Sequence, residues 1–265
     1  LLIRIYRLPY DDSDTYKRSI DIIAALNTQN KIKSSDLHSN DPRQVLLENR
    51  FNSLTSDFEY FRKRGDHGKK AGVNNIFMDK LALYYHVMNK KRPDDGVSGE
   101  VESYFEDENK YNNCFPEDYI KKDIQHDIKH IVFNYIECWR LYFIITRELA
   151  KKLTNKQKDL SEYINWYLMV DSYQQLQAWK EKSFDNNRIE WIDFLTSSQF
   201  TDGIVKYSRE RFGIYLLMLP KRETDPRKFF KSAEGRAKFL KNQGSVREFS
   251  KNMDKAYNLF RKRNF

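Results

Sequence analysis

Cysteine, glycine and long apolar runs are all scarce in this chain. Cys114 and Cys138 are the two cysteines in 265 residues, too few for the disulfide framework of a small secreted scaffold. Cys138 lies within an apolar helical pattern, where a thiol behaves as a small hydrophobe. The nine glycines form no Walker loop, no dinucleotide fingerprint and no Gly-x-Ser-x-Gly elbow. No cofactor is therefore expected. The apolar run Leu141 to Thr146 is bracketed by Arg140 and Arg147, far short of the ~20 residues that span a bilayer. No signal peptide is recognisable in the first residues. These absences point to a soluble, cytoplasmic chain without a membrane partner.

Aromatic residues make up 15% and charged residues 32% of the sequence, a composition of a globular chain rather than a disordered one. The length suits one large domain or two small ones. The net charge of +9 is unevenly placed. Residues 204–265 hold 17 Lys and Arg against 6 Asp and Glu, a balance of +11. Residues 1–203 hold 30 basic and 32 acidic side chains, a balance of −2. The body is nearly neutral and the tail is cationic. Such a segment attracts phosphate backbones through counterion release, whatever their sequence.

Hydrophobic spacing gives the element order. Leu2 to Arg7 alternates like a half-buried strand, and a helix follows over Tyr16 to Leu26. Asp41-Pro42 is a helix start, with aspartate as the cap and proline in the first turn; Val45, Leu46, Asn49 and Leu54 continue it. Phe58 to Arg64 has strand character, Gly65 to Gly72 is a basic turn, and Ile76 to Met88 reads as a helix. From residue 93 to 115 the pattern weakens into a linker or exposed insertion. Pro116 then opens a helix with the stripe Ile120, Ile124, Ile128, Ile131, Tyr135, Trp139, Tyr142 and Leu149. Another runs from about Lys158 to Lys182, and the pair implies an antiparallel bundle. Gly213 to Leu219 fits a buried strand or a short helix equally well. Asp225-Pro226 repeats the start signal, ahead of Phe229, Phe230, Ala233, Ala237 and Leu240. Val246 to Arg261 is a last helix, with Phe249, Met253, Ala256 and Phe260 on one face. The fold class expected is mainly α with a small α+β N-terminal portion, divided as 1–92, a linker or insertion over 93–115, and a helical portion over 116–265.

Several groups of residues carry chemistry. Asn27, Gln29, Asn30, Lys31 and Lys33 crowd amides and lysines into one loop; amides are bidentate hydrogen-bonding groups and lysines suit phosphates. The bland alternative is that Asn27 and Asn30 cap helix ends and turns. Arg62, Lys63, Arg64, Lys69 and Lys70 interleave with or follow Phe58, Tyr60 and Phe61, an arrangement that can stack bases and hold phosphates. Its alternative is an inward-packed strand with solvated cations. Arg247, Lys251 and Lys255 form the positive face of the last helix, a candidate nucleic-acid surface or an ordinary solvated face. His126 and His130 are four apart beside Asp123 and Asp127, but no general-base Glu sits between them and no third ligand is signalled, so a solvated helix face is the better reading. Glu106, Asp107, Glu108, Glu117 and Asp118 flank a weakly patterned loop; they read as solvated acids rather than as a divalent-ion site.

The run from Leu2 to about Tyr85 resembles the abortive-infection phage-resistance (AIPR) family. The resemblance rests on the strand Leu2-Ile3-Arg4-Ile5-Tyr6-Arg7, the following helix and the Asn27-Thr28-Gln29-Asn30-Lys31-Ile32 loop. It continues through Asp36-Leu37, Asn40-Asp41-Pro42 and Phe58-Glu59-Tyr60-Phe61-Arg62-Lys63-Arg64-Gly65. Two further family segments, Asn-Asn-Gly-Ile-Thr and Asn-Gly-x-Gln-Thr, do not occur, and the chain opens Leu1-Leu2. It is therefore read as the C-terminal, non-catalytic portion of a longer bacterial defence protein. The resemblance implies a nuclease-like region upstream of it. Expected partners are nucleic acid, the upstream domain of the same protein and a second copy of the chain. The rival readings are a protein-interaction or oligomerisation module and a metal-dependent nuclease. No catalytic or metal-binding residue is assigned.

Overall fold

A computed structural model describes residues 34–54, 57–62, 75–89, 103–118, 131–184, 187–220 and 226–264. After a helical turn over 34–40 comes α1 (Pro42–Leu54). Asp41 starts it by accepting the Arg43 backbone N–H at 2.7 Å, which satisfies one of the donors that a helix N-terminus leaves open. Its buried face is Gln44, Leu47, Phe51 and Leu54; of Val45, Leu46, Asn49 and Leu54, named from spacing, Leu54 lies on it and the other three are one step round. Gln44 explains the rotation. Its amide lies at 0% exposure because it accepts from the Tyr60 hydroxyl at 2.5 Å and donates to Tyr111 at 2.9 Å.

The strand expected near Phe58 is β1 (Glu59–Phe61). It pairs in parallel with β2 (Asn75–Phe77), Tyr60 opposite Ile76. The sequence places a helix over Ile76 to Met88. Its first residues are instead this strand, followed by a tight turn over Met78–Lys80 and then α2 (Leu81–Met88). Parallel pairing wins there because it buries Ile76 completely and stacks Phe77 on Phe61 at 5.5 Å.

The stretch read as a linker or exposed insertion contributes four side chains to the core, although most of residues 106–113 are exposed. Phe105, Tyr111, Cys114 and Phe115 are all buried, and α3 (Glu108–Cys114) is capped by the Asp107 carboxylate accepting Lys110 N–H at 3.0 Å. Tyr111, Cys114 and Phe115 stand at helical i, i+3 and i+4 spacing, but in so short and polar a stretch the signal is weak.

The helical body begins with α4 (Ile131–Phe143). Its hydrogen bonding widens to a π-turn over Ile144–Leu149 and tightens again over Ala150–Lys152, so the stripe expected to reach Leu149 is regular only to Phe143. The upstream part of that stripe, with Ile120, Ile124, Ile128, His126 and His130, lies outside the described residues. Next comes α5 (Asn155–Ser183), whose Thr154 and Gln157 form a reciprocal capping box. Then follow α6 (Arg188–Thr196) and α7 (Ser198–Leu217). The ambiguous Gly213 to Leu219 segment is the end of α7. Two short helices, α8 (Pro226–Lys231) and α9 (Ala233–Lys241), divide at Ser232, and α10 (Val246–Asn264) closes the fold.

Among the described residues the architecture is mainly α, with this two-stranded parallel sheet as its small β part. One apolar core runs from Leu47 to Phe260. α7 and α10 are antiparallel, because Gly203 lies against Met253 and Ala256 while Tyr207, further along α7, meets Phe249. Gly203 lets them approach closely: a Cβ there would come within 2.9 Å of Met253 Sδ and 3.2 Å of Ala256 Cβ. No helix among the described residues is long and apolar enough to cross a membrane.

Candidate nucleic-acid interface

Two kinds of cation occur in the helical body, and their surroundings separate them. The first kind is inside. Lys180 is 2% exposed and donates to Glu137 Oε1 at 2.7 Å. Glu137, at 0% exposure, also accepts Trp191 Nε1–H at 3.0 Å and the Gln177 amide. This cluster ties α4, α5 and α6 together. Arg140 lies close by without a carboxylate of any described residue in ion-pair reach. It donates instead to the Leu195 carbonyl at the end of α6 (2.9 Å) and to Thr201 Oγ1 (3.2 Å). Burial pulls its guanidinium down to about 10, and the negative end of the α6 dipole favours its charge.

Asp171 is the second internal node, and no sequence pattern singled it out. Fully buried on α5, it accepts from Tyr215 (2.7 Å), Tyr207 (3.2 Å), Arg211 Nε (3.2 Å) and the Gly244 backbone N–H (3.1 Å). Burial raises its carboxyl above the ordinary value, against the opposing pull of Tyr215 and Arg211. The node pins the turn that launches α10. Gly244 has to be glycine, because a Cβ there would overlap the Tyr207 hydroxyl. An aspartate in a long amphipathic helix that places two tyrosines and an arginine from another helix around itself leaves no signal in spacing alone.

The second kind of cation is outside, on α10. Ser245 and Glu248 cap this helix reciprocally: Ser245 N–H donates to Glu248 Oε2 at 2.9 Å and Glu248 N–H to Ser245 Oγ at 3.3 Å. Phe249, Met253, Ala256 and Phe260 are buried, as the sequence predicts. At roughly 100° per residue, Arg247, Lys251, Lys255 and Lys262 share the opposite face. All four are exposed, and none forms an ion pair with a described residue. Both acids of the helix are engaged elsewhere. Glu248 serves the cap, 3.9 Å from Arg211 Nη1, and Asp254 accepts Trp179 Nε1–H at 2.7 Å. Lys262 joins the three residues that the sequence named, two turns further along the helix.

The remaining candidates fall elsewhere. Arg62 is half-buried and committed within the N-terminal part, donating to Glu48 at 2.7 Å and to the Ser39 carbonyl at 2.6 Å. Asn27, Gln29, Asn30, Lys31, Lys33, Lys63, Arg64, Lys69 and Lys70 lie outside the described residues. The tail is not uniformly available either: Arg211 faces Asp171, Arg261 faces Glu190 at 3.4 Å, and Lys238 pairs with Glu234 at 2.8 Å. Among the described residues no group of three or more His, Cys, Asp and Glu side chains is placed to hold a metal.

The AIPR protein family model matches residues 2–204, which spans the amide loop, the sheet, Glu137, Asp171 and α6. The chain belongs to the AIPR family. Its membership makes it an abortive-infection phage-resistance protein. No curated protein and no solved structure matches it. The match ends inside α7, so the cationic α10 lies beyond the part of this AIPR chain that the family model covers.

Proposed function

We propose that this AIPR chain acts in phage defence as a non-catalytic nucleic-acid-binding part of a bacterial cytoplasmic protein. On this reading it works beside another domain of the same polypeptide. One observation carries the proposal: α10 is held by its apolar face while four exposed cations on the other face have no ion-pair partner among the described residues. Lysine and arginine left uncompensated at a surface are what neutralises phosphates and releases their counterions. The amides and lysines from Asn27 to Lys33 and the cations from Lys63 to Lys70 would add polar contacts, whereas Phe58, Tyr60 and Phe61, expected to stack bases, are buried in the core. Filter binding of labelled nucleic acid across ionic strength tests this. Affinity that falls steeply with salt is expected; no affinity, or affinity flat with salt, overturns it.

Exposed apolar side chains favour a second reading, a protein-contact module. Leu217, Ile189 and Leu240 are 86%, 66% and 60% exposed. They sit on three different helices, which gives that reading less support than one continuous face would. A stable oligomer by light scattering, with no nucleic-acid affinity, would favour it.

A further inference from the structure

We infer that α10 contacts the phosphates of one strand of a duplex, without reading bases. This rests on the nucleic-acid reading above and narrows it to a substrate class and a mode of contact. Phe249, Met253, Ala256 and Phe260 fix one face of α10 against the bundle. Tyr257, on the flank, donates to Glu190 at 2.6 Å and packs its ring against Trp179 and Phe194. A helix so embedded cannot enter a major groove, because that mode needs a protruding helix whose side chains reach base edges. What it offers is a straight ladder of charge.

Arg247, Lys251 and Lys255 follow one another at about 6 Å, and the ladder spans roughly 22 Å to Lys262 at ~1.5 Å per residue. Steps of that order match neighbouring phosphates along a single backbone. The four cations lie within roughly 80° of one another, so they serve one strand rather than two. Asn258 is the exposed polar side chain between them. No aromatic ring of a described residue shares this face. Single-strand binders gain much of their affinity from stacking bases on aromatic side chains, and here the rings of α10 are turned inward. A regular duplex backbone, whose bases are already stacked, fits a ladder that carries charge and no platform. Phosphate contacts of this type position a protein without specifying sequence.

The test uses the full chain with a duplex, the same sequence as a single strand, and a second unrelated duplex. With four phosphates neutralised, log K should fall against log salt with a slope contribution of about −3.6, or about 150-fold between 50 and 200 mM salt. Lys251→Glu with Lys255→Glu should lower duplex affinity and reduce the magnitude of that slope by about 1.8. The two duplexes should bind alike, and the single strand more weakly. Circular dichroism melts of the double variant keep a folding failure apart from a contact failure, and Lys251→Gln with Lys255→Gln repeats the test without added negative charge. A single strand bound as tightly as the duplex overturns the inference. So does an unchanged slope in a folded variant, while wild-type binding would leave the broader reading standing. Absence of all binding in the wild type overturns both.

Discussion

Lys180 and Lys251 carry the same charge on helices of the same bundle, yet they are opposites. Lys180 is buried against Glu137, which Trp191 and Gln177 also contact. Lys251 points outward from α10 and meets no described acid. Removing water from a charge costs several kcal/mol unless partners replace it, so an internal cation persists only with a built surrounding. An external one remains solvated and available. Counting cations in the tail treats Arg211 and Arg247 alike; position in the fold separates a residue that holds the molecule together from one that can meet a ligand.

That contrast can be broken at four points. The largest effect is expected at Glu137→Ala, which strands Lys180 and the Trp191 indole; a loss of about 3–5 kcal/mol in urea unfolding is expected. A loss below 1 kcal/mol would mean that the cluster is not what joins α4, α5 and α6. Asp171→Ala comes next. Arg211, two tyrosines and the Gly244 N–H lose their common acceptor, at about 3 kcal/mol, and hydrogen exchange should rise in the Gly244 turn ahead of the rest of the bundle. Gly244→Ala should cost about 1–3 kcal/mol by overpacking against Tyr207; a neutral result would show that the turn moves freely. The smallest effect belongs to Asp41. Burial alone would raise its carboxyl, but the Arg43 hydrogen bonds hold it below the ordinary aspartate value of 3.8. Its contribution is thus present above that value and lost as pH falls through the folded one. The small cost of Asp41→Asn should shrink to nothing in acid, measured by urea unfolding from pH 6 downward; a cost that grows in acid reverses the sign.

Helices with strict spacing were legible in the sequence. Phe249, Met253, Ala256 and Phe260 recur at three- and four-residue intervals, and their burial follows. The Asp41-Pro42 start was equally plain. Where tertiary partners decide the local state, spacing failed. Ile76 to Phe77 carry a pattern compatible with a helix and become a strand because β1 needs a neighbour. Phe105, Tyr111 and Phe115 stand in a short, mostly polar stretch, yet they fill the core beneath Gln44 and His38. The cationic face at Arg247, Lys251 and Lys255 was readable from the helical wheel. Asp171 was not, because its significance arises from Tyr207, Tyr215, Arg211 and Gly244, which only folding brings to it.

Lysine acetylation read by mass spectrometry, on the folded chain with and without duplex, tests the sorting of cations most directly. Lys180 should stay unreactive in both samples, while Lys251, Lys255 and Lys262 should react readily alone and become protected when duplex is added. Equal reactivity of those three lysines with and without saturating duplex would contradict the account.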